Sequence, residues 1–349
     1  MLSFILKKLL YGLFVLVGVT ILVFVLFQGF GDPSRLVMGQ TGSKATQENI
    51  RKELYLDQPK YKQFFLYLND VSPIGVHSFE EIKSKELKGF FIGEEKKVGL
   101  KLPYLRKSYQ TKKAVSEVLL EALPGTLLLA LAAMLIAVLI GIPLGVIAAV
   151  KQNTWVDTSA VFTSIVGISA PSFFMGIIIA YFFGFVWSEW TGLHITGSWF
   201  DMDLTTGEKR LTLQNLILPA ITLGIRPLAI ITQLTRSSML DVLDQDFIRT
   251  AYAKGLSRRI VIWKHALRNA LNPVITAVTG WFAELLAGAF FIEYIFGWKG
   301  IGKVTVDALE KLDFPVVMGS VLISATFFIL VNILADILYG IVDPRVRIR

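Results

Sequence analysis

The sequence predicts an all-α, polytopic membrane protein with about six transmembrane helices and a large hydrophilic segment after the first. Of its 349 residues, 54% are apolar, whereas soluble domains contain about 45–50%. The apolar residues form long runs, comparable to the roughly 20 residues that cross a hydrocarbon core of about 30 Å. Lysine and arginine lie mostly between these runs, as they do in the loops of membrane proteins.

Six apolar runs define the predicted spans. Their bounds are Leu9–Phe30, Leu123–Val150, Val156–Trp187, Leu213–Leu234, Val274–Phe296 and Val316–Val342. The first run follows Lys7 and Lys8, as in a signal peptide, but it is too long for one and no cleavage site of small residues follows it. We therefore expect an uncleaved anchor.

These spans imply four regions along the chain. Residues 1–31 form an N-terminal transmembrane helix, 32–115 an extracytoplasmic segment, 116–342 a five-helix core with a cytoplasmic loop over 237–272, and 343–349 a tail. The segment 32–115 holds 16 Lys/Arg and 10 Asp/Glu. We expect a small folded element there, whose apolar face is formed by Tyr55, Leu56, Tyr61, Phe64, Phe65, Tyr67 and Leu68.

The distribution of basic residues predicts the orientation. With the N terminus in the cytoplasm, the cytoplasmic segments hold 12 Lys/Arg and the opposite short loops hold five. The 84-residue outer segment would reverse this bias, but loops longer than about 60 residues translocate largely regardless of charge. Both termini are therefore predicted to be cytoplasmic.

Composition excludes several kinds of site. The chain has no cysteine, which excludes disulfides, iron–sulfur clusters and cysteine-bound zinc. The histidines His77, His194 and His265 are widely separated and lack the spacing of metal ligands. These residues lead us to expect no metal and no cofactor. The net charge of +8 lies in loops and forms no basic stripe interleaved with aromatic residues, so we also expect no nucleic acid to bind.

One glycine-rich segment imitates a nucleotide-binding motif. Residues Gly297–Lys303 match the start of a P-loop, but Val304 replaces the Ser or Thr that would hold Mg²⁺. A P-loop also follows a strand, whereas this segment follows a predicted span. We therefore expect no nucleotide to bind here.

The most informative segment is the basic loop Asp244–Pro273. Asp244 or Asp246 could cap a short helix, and Gly255 suits its C-terminal end because glycine adopts positive φ readily. The pattern predicts an apolar face of Phe247, Ala251 and Tyr252, a second helix capped by Ser257, and an end or bend at Asn272-Pro273. Small residues at Ala251, Ala253 and Gly255 would allow close approach of another backbone, and the basic residues Arg249, Lys254, Arg258, Arg259 and Lys264 could attract an acidic surface. From the residues alone, a plain positive-inside loop is an equal alternative.

This loop resembles the "EAA" loop of permease subunits of binding-protein-dependent ABC importers, in the dipeptide/oligopeptide (and nickel) branch. The resemblance rests on Thr250–Ser257 and His265–Pro273. It is extended by Leu123–Thr126, Ser169–Phe173, Leu218–Ala220, Leu234–Leu240, Asp343–Arg345 and Leu36–Leu68 with its Leu56–Pro59. Residues 77–113 appear as extra hydrophilic sequence relative to that branch. The branch has a glycine-rich re-entry where Phe296–Gly302 lies, so the resemblance implies a tight turn there.

The resemblance implies a type I (MetI-like) permease core in a bacterial inner membrane. It implies a transport subunit without catalysis of its own, which pairs with a second homologous permease subunit and with two cytoplasmic ABC ATPases that bind ATP and Mg²⁺. An external binding protein would deliver di- or oligopeptides; nickel or another small solute is the alternative cargo, and an ion-coupled secondary transporter is the alternative class. The residues implied to couple to the ATPase are Asp246, Phe247, Arg249, Thr250, Ala251, Ala253, Lys254, Gly255, Leu256 and Ser257.

Charged residues within the predicted spans are functional candidates, because each costs about 2.5–3.5 kcal/mol at mid-helix. Arg226 and Glu284 could form an ion pair between spans four and five, or could contribute to the substrate pathway. Asp336 lies near the tail, where Arg345 or Arg347 could pair with it.

Overall fold

The computed structural model describes residues 2–28, 51, 55–202 and 209–342. The predicted tail 343–349, with its Asp343–Arg345 and the proposed partners Arg345 and Arg347, lies outside the described residues. So does most of the first part of the outer segment.

Helices account for most of the described chain. They are α1 (Leu2–Gln28), α2 (Lys60–Val71), α3 (Phe79–Ser84), α4 (Val115–Val150), α5 (Trp155–Ser169), α6 (Ser172–Tyr181), α7 (Ser188–Thr191), α8 (Ile217–Leu243), α9 (Asp246–Ala253), α10 (Arg258–Ile260), α11 (Leu267–Gly288), α12 (Phe290–Ile295), α13 (Ile301–Glu310) and α14 (Phe314–Val342). The strands are β1 (Ile74–Ser78), β2 (Gly89–Ile92), β3 (Lys96–Lys101), β4 (Phe200–Met202) and β5 (Lys209–Leu211). π-Helical turns occupy Phe182–Val186 and Val261–Ala266, and a 3₁₀ turn Leu213–Leu216.

Within the described residues, four helical segments are long and apolar enough to cross a membrane. They are Ile5–Phe27, Val115–Val150, Leu213–Leu243 and Phe314–Ile337. The segments Trp155–Ser169 and Ser172–Val186 meet the criterion together and would make a fifth span, although they are bent by 108°. The structure thus confirms a polytopic helical protein, and the count of six spans stays a prediction.

The predicted third span is broken where proline requires it. Ala170, between α5 and α6, has φ −73° and ψ 130°. A residue before proline is driven out of the helical region by contact with the proline ring, and here Pro171 follows. The continuous span predicted over Val156–Trp187 is therefore wrong.

The predicted fifth span also differs from the structure. Helix α11 starts before Pro273 and continues through it to Gly288, so the helix does not end at Asn272-Pro273, and the alternative of a bend there stays a prediction. A separate short helix, α12, follows. Between α12 and α14 the chain also forms α13, and the segment between α6 and α8 contains α7 and the antiparallel strand pair β4–β5.

The described chain divides into two compact units, the first of which comprises Met1–Lys8, Pro124–Lys303 and Phe327–Arg349. Its core joins α4, α8 and α11. Glycines allow these helices to approach closely: a Cβ at Gly224 would lie 2.8 Å from the Ala133 carbonyl oxygen, and one at Gly145 would lie 2.6 Å from that of Thr232. Small residues at helix contacts are typical of membrane proteins, where close packing drives association.

The second unit comprises Leu9–Leu123 and Val304–Thr326. It contains an antiparallel sheet in the order β1-β3-β2, which the sequence-based assignment did not predict. Helix α2 packs through Tyr67 against Val23, Met318 and Leu322. The predicted apolar face of α2 is only partly correct, because Tyr61 and Phe65 are 69% and 64% exposed.

Candidate coupling site and intramembrane charges

Helix α9 lies in the predicted coupling loop, but its start differs from the prediction. Asp244 is the C-cap of α8, Gln245 is the N-cap of α9 and Asp246 is its first residue. Gln245 makes no capping hydrogen bond through its side chain. Asp246 still lies in the first turn, where a negative charge interacts favourably with the helix dipole.

The buried face of α9 is formed by Ile248 and Ala251, which are 2% and 7% exposed. Both belong to an apolar cluster with Met239 and Val242 at the end of α8 and with Val261 in the following π-turn. The predicted face of Phe247, Ala251 and Tyr252 is therefore wrong in two members: Phe247 and Tyr252 are 38% and 44% exposed. These two aromatic residues point away from the cluster that fixes the helix.

The C-terminal end of α9 is formed as predicted. Gly255 has φ +76°, and its N–H donates to the Tyr252 carbonyl oxygen at 2.9 Å while the Leu256 N–H donates to that of Ala251 at 3.3 Å. A Cβ at Gly255 would meet no atom within 4 Å. Of the three small residues predicted to admit another backbone, Ala253 and Gly255 are exposed and Ala251 is buried within the chain itself.

Ser257 occupies the N-cap of α10, as predicted, although its side chain makes no capping hydrogen bond. From Arg258 the chain runs through α10, a π-turn and α11 without a non-helical residue. Val261 and Ala266 in the π-turn are fully buried. After the four non-helical residues Lys254–Ser257 that follow α9, a continuous helical connection therefore leads into α11.

The outward charges of the loop are well solvated. The side chains of Asp246 and Arg249 are 95% and 78% exposed and lie 3.3 Å apart, a geometry that contributes little to stability. The Thr250 hydroxyl donates to the Asp246 carbonyl oxygen. Lys254, Arg258 and Arg259 are also exposed, so the outer surface of the loop has a positive character.

A partly buried ion pair holds α8 near this loop. Arg236 makes a bidentate contact with Asp157 at the start of α5; the Nη2–Oδ2 distance is 2.8 Å, and Nε donates to Oδ1. The Asn153 N–H also donates to Asp157 Oδ2, at 3.0 Å. Bidentate arginine–carboxylate pairs define both distance and orientation, and this one connects α5 to α8.

The predicted ion pair between Arg226 and Glu284 is wrong. Both residues are described and exposed, and no ion pair joins them. The Arg226 guanidinium instead lies 5.4 Å from the ring centroid of Trp281, a cation–π distance. Asp336 pairs with Lys8 at 2.8 Å, and its predicted pairing with Arg345 or Arg347 falls outside the described residues.

The sequence-based reasoning missed Glu293, although a glutamate in the apolar run Phe290–Ile295 satisfied the criterion that selected Arg226 and Glu284. Glu293 has no exposed surface. Its Oε1 accepts from the Thr126 hydroxyl at 2.7 Å and its Oε2 from the Lys303 N–H at 3.1 Å. Thr126 in turn accepts from the Ile301 N–H at 2.9 Å.

The glycines of Gly297–Lys303 surround this carboxylate. Gly297 has φ +62° in the predicted tight turn, and a Cβ at Gly300 would lie 2.3 Å from Glu293 Oε2. The Trp298 indole N–H donates to the Gly125 carbonyl oxygen at 2.9 Å. Close packing around Glu293 therefore explains the motif, and the element before it is a helix and not the strand of a P-loop.

The long apolar helices define a multi-pass membrane protein. The model of the family described as "binding-protein-dependent transport system inner membrane component" matches residues 141–348, and the model of its N-terminal region matches residues 1–130. The chain belongs to this family, and the resemblance inferred from the sequence is confirmed.

Curated relatives match over their full length. The chain is 37% identical to the dipeptide transport system permease protein DppB of Escherichia coli, with 99% of each chain covered. It is 34% identical to the protein of that name from Alkalihalophilus pseudofirmus and 35% identical to the oligopeptide transport system permease protein AppB of Bacillus subtilis; 99% of this chain and 100% of each relative are covered.

A solved structure, of inward-facing conformations of the MetNI methionine ABC transporter, shares the fold. The match has a TM-score of 0.51 and 15% identity, and it covers 65% of this chain and 97% of the other. The predicted MetI-like permease core is thereby confirmed at the level of the fold.

Proposed function

We propose that this chain is a permease subunit of an ATP-driven importer and forms half of a translocation pathway for di- and oligopeptides. The observation that carries the proposal is the identity of 34–37% with permeases named for dipeptide and oligopeptide transport, across 99% of this chain. The subunit lies in a bacterial inner membrane with both termini cytoplasmic. Its partners are an external substrate-binding protein, a second homologous permease subunit and two cytoplasmic ATPases, which bind ATP and Mg²⁺.

In this proposal α9 is the element that docks on an ATPase. Its inward side chains Ile248 and Ala251 attach it to the permease core, whereas Phe247 and Tyr252 remain for a partner. The open space at Gly255 admits a close contact. The continuous helical connection into α11 transmits the motion of α9 to the core.

Affinity purification of the chain, expressed with the products of neighbouring genes, tests the assembly. We expect an ATPase pair and a second permease to copurify, and ATP hydrolysis to increase when the loaded binding protein is added. Peptide uptake by vesicles that contain this chain alone would contradict the proposal and favour an ion-coupled transporter. Stimulation by a nickel-loaded binding protein only would replace the peptide cargo by a metal.

Gly255→Trp tests the docking surface. A bulky side chain cannot enter a close-packed contact, so we expect ATP hydrolysis to become independent of the binding protein and uptake to be lost, while the chain still inserts. Gly192→Trp is the matched control because Gly192 also ends a helix with positive φ, +66°, but lies far from the coupling loop in sequence. Unchanged uptake in Gly255→Trp would exclude this contact.

Arg226 and Glu284 remain proposed members of the substrate pathway. Both are exposed in the isolated chain, and an ionisable residue in a span usually faces a cavity or a partner. Charge-neutral variants, Arg226→Gln and Glu284→Gln, should alter uptake more than assembly. An equal loss of uptake and assembly would instead indicate that Arg226 and Glu284 have a structural role.

A further inference from the structure

The three-stranded sheet of the second unit exposes its apolar side chains. Ile74 and Val76 of β1, Phe90 and Ile92 of β2, and Val98 and Leu100 of β3 are between 46% and 72% exposed. In the observed register, Leu100 lies between Ile74 and Phe90, and Val98 lies between Val76 and Ile92. These six residues therefore form one continuous surface, the apolar sheet face.

The opposite face of the sheet is largely buried and combines the polar residues His77 and Lys101 with Phe91, whose ring centroid lies 6.5 Å from that of His77. His77 and Lys101 are 1% and 4% exposed, and the Lys101 ammonium donates to the carbonyl oxygens of Asp70 at 2.5 Å and Ser72 at 2.9 Å. A half-buried sheet in a water-soluble protein shows the reverse order, with apolar residues inside and polar residues outside. A sheet that faces lipid has apolar side chains on its outer face and polar side chains on its inner face.

Lysines flank the apolar sheet face at both ends. Because side chains alternate along a strand with a period of two, Lys88 lies on the face of Phe90 and Lys96 on the face of Val98. Both lysines are exposed. Residues 74–107 contain eight Lys/Arg and five Asp/Glu. Apolar residues bordered by lysine suit the interface of a membrane that contains anionic lipid.

The second unit also holds this element close to a membrane span. The ring centroid of Phe24, within the candidate span Ile5–Phe27, lies 5.3 Å from that of Phe64 and 6.0 Å from that of Tyr67 in α2. Helix α2 leads into β1 through Ser72 and Pro73. The sheet is therefore tied to the end of a span by a packed helix.

We propose that the apolar sheet face lies in the headgroup–acyl boundary of the membrane, with Lys88 and Lys96 at anionic headgroups. Amphipathic helices enter this boundary by about 5–10 Å, and we expect a similar depth for the apolar sheet face. The partner is the lipid surface itself, on the side of the membrane that carries this segment. This inference does not depend on the transported solute.

The absence of cysteine from the chain permits single-cysteine labelling of the full-length protein with an environment-sensitive fluorophore. Phe90→Cys and Val98→Cys place the label on the apolar sheet face, and Glu80→Cys, at an exposed position in α3, is the matched control. The protein, with any subunits that copurify, is placed in nanodiscs of phosphatidylethanolamine and phosphatidylglycerol. We expect blue-shifted emission and quenching by doxyl-labelled lipid at the two face positions, and quenching only by aqueous iodide at the control.

Equal iodide quenching at all three positions would overturn the proposal. Protection of the face positions from both iodide and doxyl-labelled lipid would also overturn it, in favour of a protein partner. The lysines are tested separately: Lys88→Gln with Lys96→Gln, or removal of phosphatidylglycerol, should reduce the quenching by doxyl-labelled lipid. Unchanged quenching would show that Lys88 and Lys96 do not bind anionic headgroups.

Discussion

Glu293 shows how strongly a single residue constrains the first unit. A carboxylate without exposed surface costs several kcal/mol unless its oxygens are hydrogen-bonded. Here Thr126 and the Lys303 N–H supply donors, and the second of these belongs to the first turn of α13. A carboxylate at a helix N-terminus is also favoured by the helix dipole. The site thus connects α4, α12 and the turn before α13.

Thr126→Val should lower stability more than the same substitution at another buried threonine. The valine leaves Glu293 Oε1 without its donor and the Ile301 N–H without its acceptor, and each unsatisfied buried group costs about 1–3 kcal/mol. Thr222→Val is the control, because the Thr222 hydroxyl donates only to the Leu218 carbonyl oxygen of its own helix. Thermal unfolding of the purified protein measures both. Equal shifts in Tm would contradict the role given to Glu293.

Lys101 predicts a pH dependence of stability in the second unit. Burial lowers the pKa of its ammonium from 10.5 to about 8. Between these values the unfolded chain binds more protons than the folded one, so stability rises with pH over this window. Thermal unfolding at pH 7.5 and 9.5 should show a gain for the wild type that Lys101→Met lacks. Tyrosines titrate in both proteins, so an equal response of the two would contradict the assignment.

At the level of elements, α9 has one face buried in the chain and one exposed face, which the proposal assigns to the ATPase. Ile248 packs into the cluster that contains Met239 and Val261, whereas Phe247 lies on the exposed side. A helix of this length is not stable in isolation. Its position therefore depends on the buried face, which leaves the exposed face free to vary with the partner.

Two alanine substitutions distinguish these faces. Ile248→Ala removes a buried side chain and should destabilise the protein by about 2–5 kcal/mol. Phe247→Ala should leave the free energy of unfolding within about 0.5 kcal/mol of the wild-type value, as for surface positions, but should weaken copurification of the ATPase. Unfolding curves and pull-down yields measure the two effects. If Ile248→Ala lost ATPase binding and Phe247→Ala kept it, the exposed face of α9 would not be the contact with the ATPase.

For the whole molecule, the proposed orientation predicts the accessibility of two exposed positions. In intact cells with a permeabilised outer envelope, an impermeant maleimide should label Glu80→Cys. It should label Gln152→Cys, between α4 and α5, only after the inner membrane is opened. We expect Gln152 to be cytoplasmic because the short segments on its side of the membrane hold the excess of basic residues. The reverse pattern would invert the topology.

The sequence predicted the membrane class and the family correctly, but it predicted several local features incorrectly. The apolar runs were sufficient for the polytopic class, because crossing a hydrocarbon core requires length and low polarity before any tertiary contact. Gly255 was predicted correctly because a positive φ is a local backbone requirement. The break at Ala170 was missed, although Pro171 marked it, because prolines within membrane helices are often tolerated.

The remaining differences have tertiary causes. Asp336 pairs with Lys8, more than 300 residues away, and Arg226 lies against Trp281 and not beside Glu284. Sequence position does not show which of several charges will be neighbours. The exposed apolar sheet face was missed for a related reason, since alternation of apolar and polar residues identifies two faces of a strand but not which one is buried.

The sequence by itself determined that this protein lies in a membrane, that it belongs to a transport permease family and that a short helix ends at Gly255. These properties follow from composition, motif order and local backbone geometry. Only the tertiary structure decided that Ile248 and Ala251 anchor that helix, that Glu293 is the fully buried carboxylate bound to Thr126, and that the sheet turns its apolar side outward. Burial and hydrogen-bond partners depend on residues distant in sequence, and the fold alone brings them together.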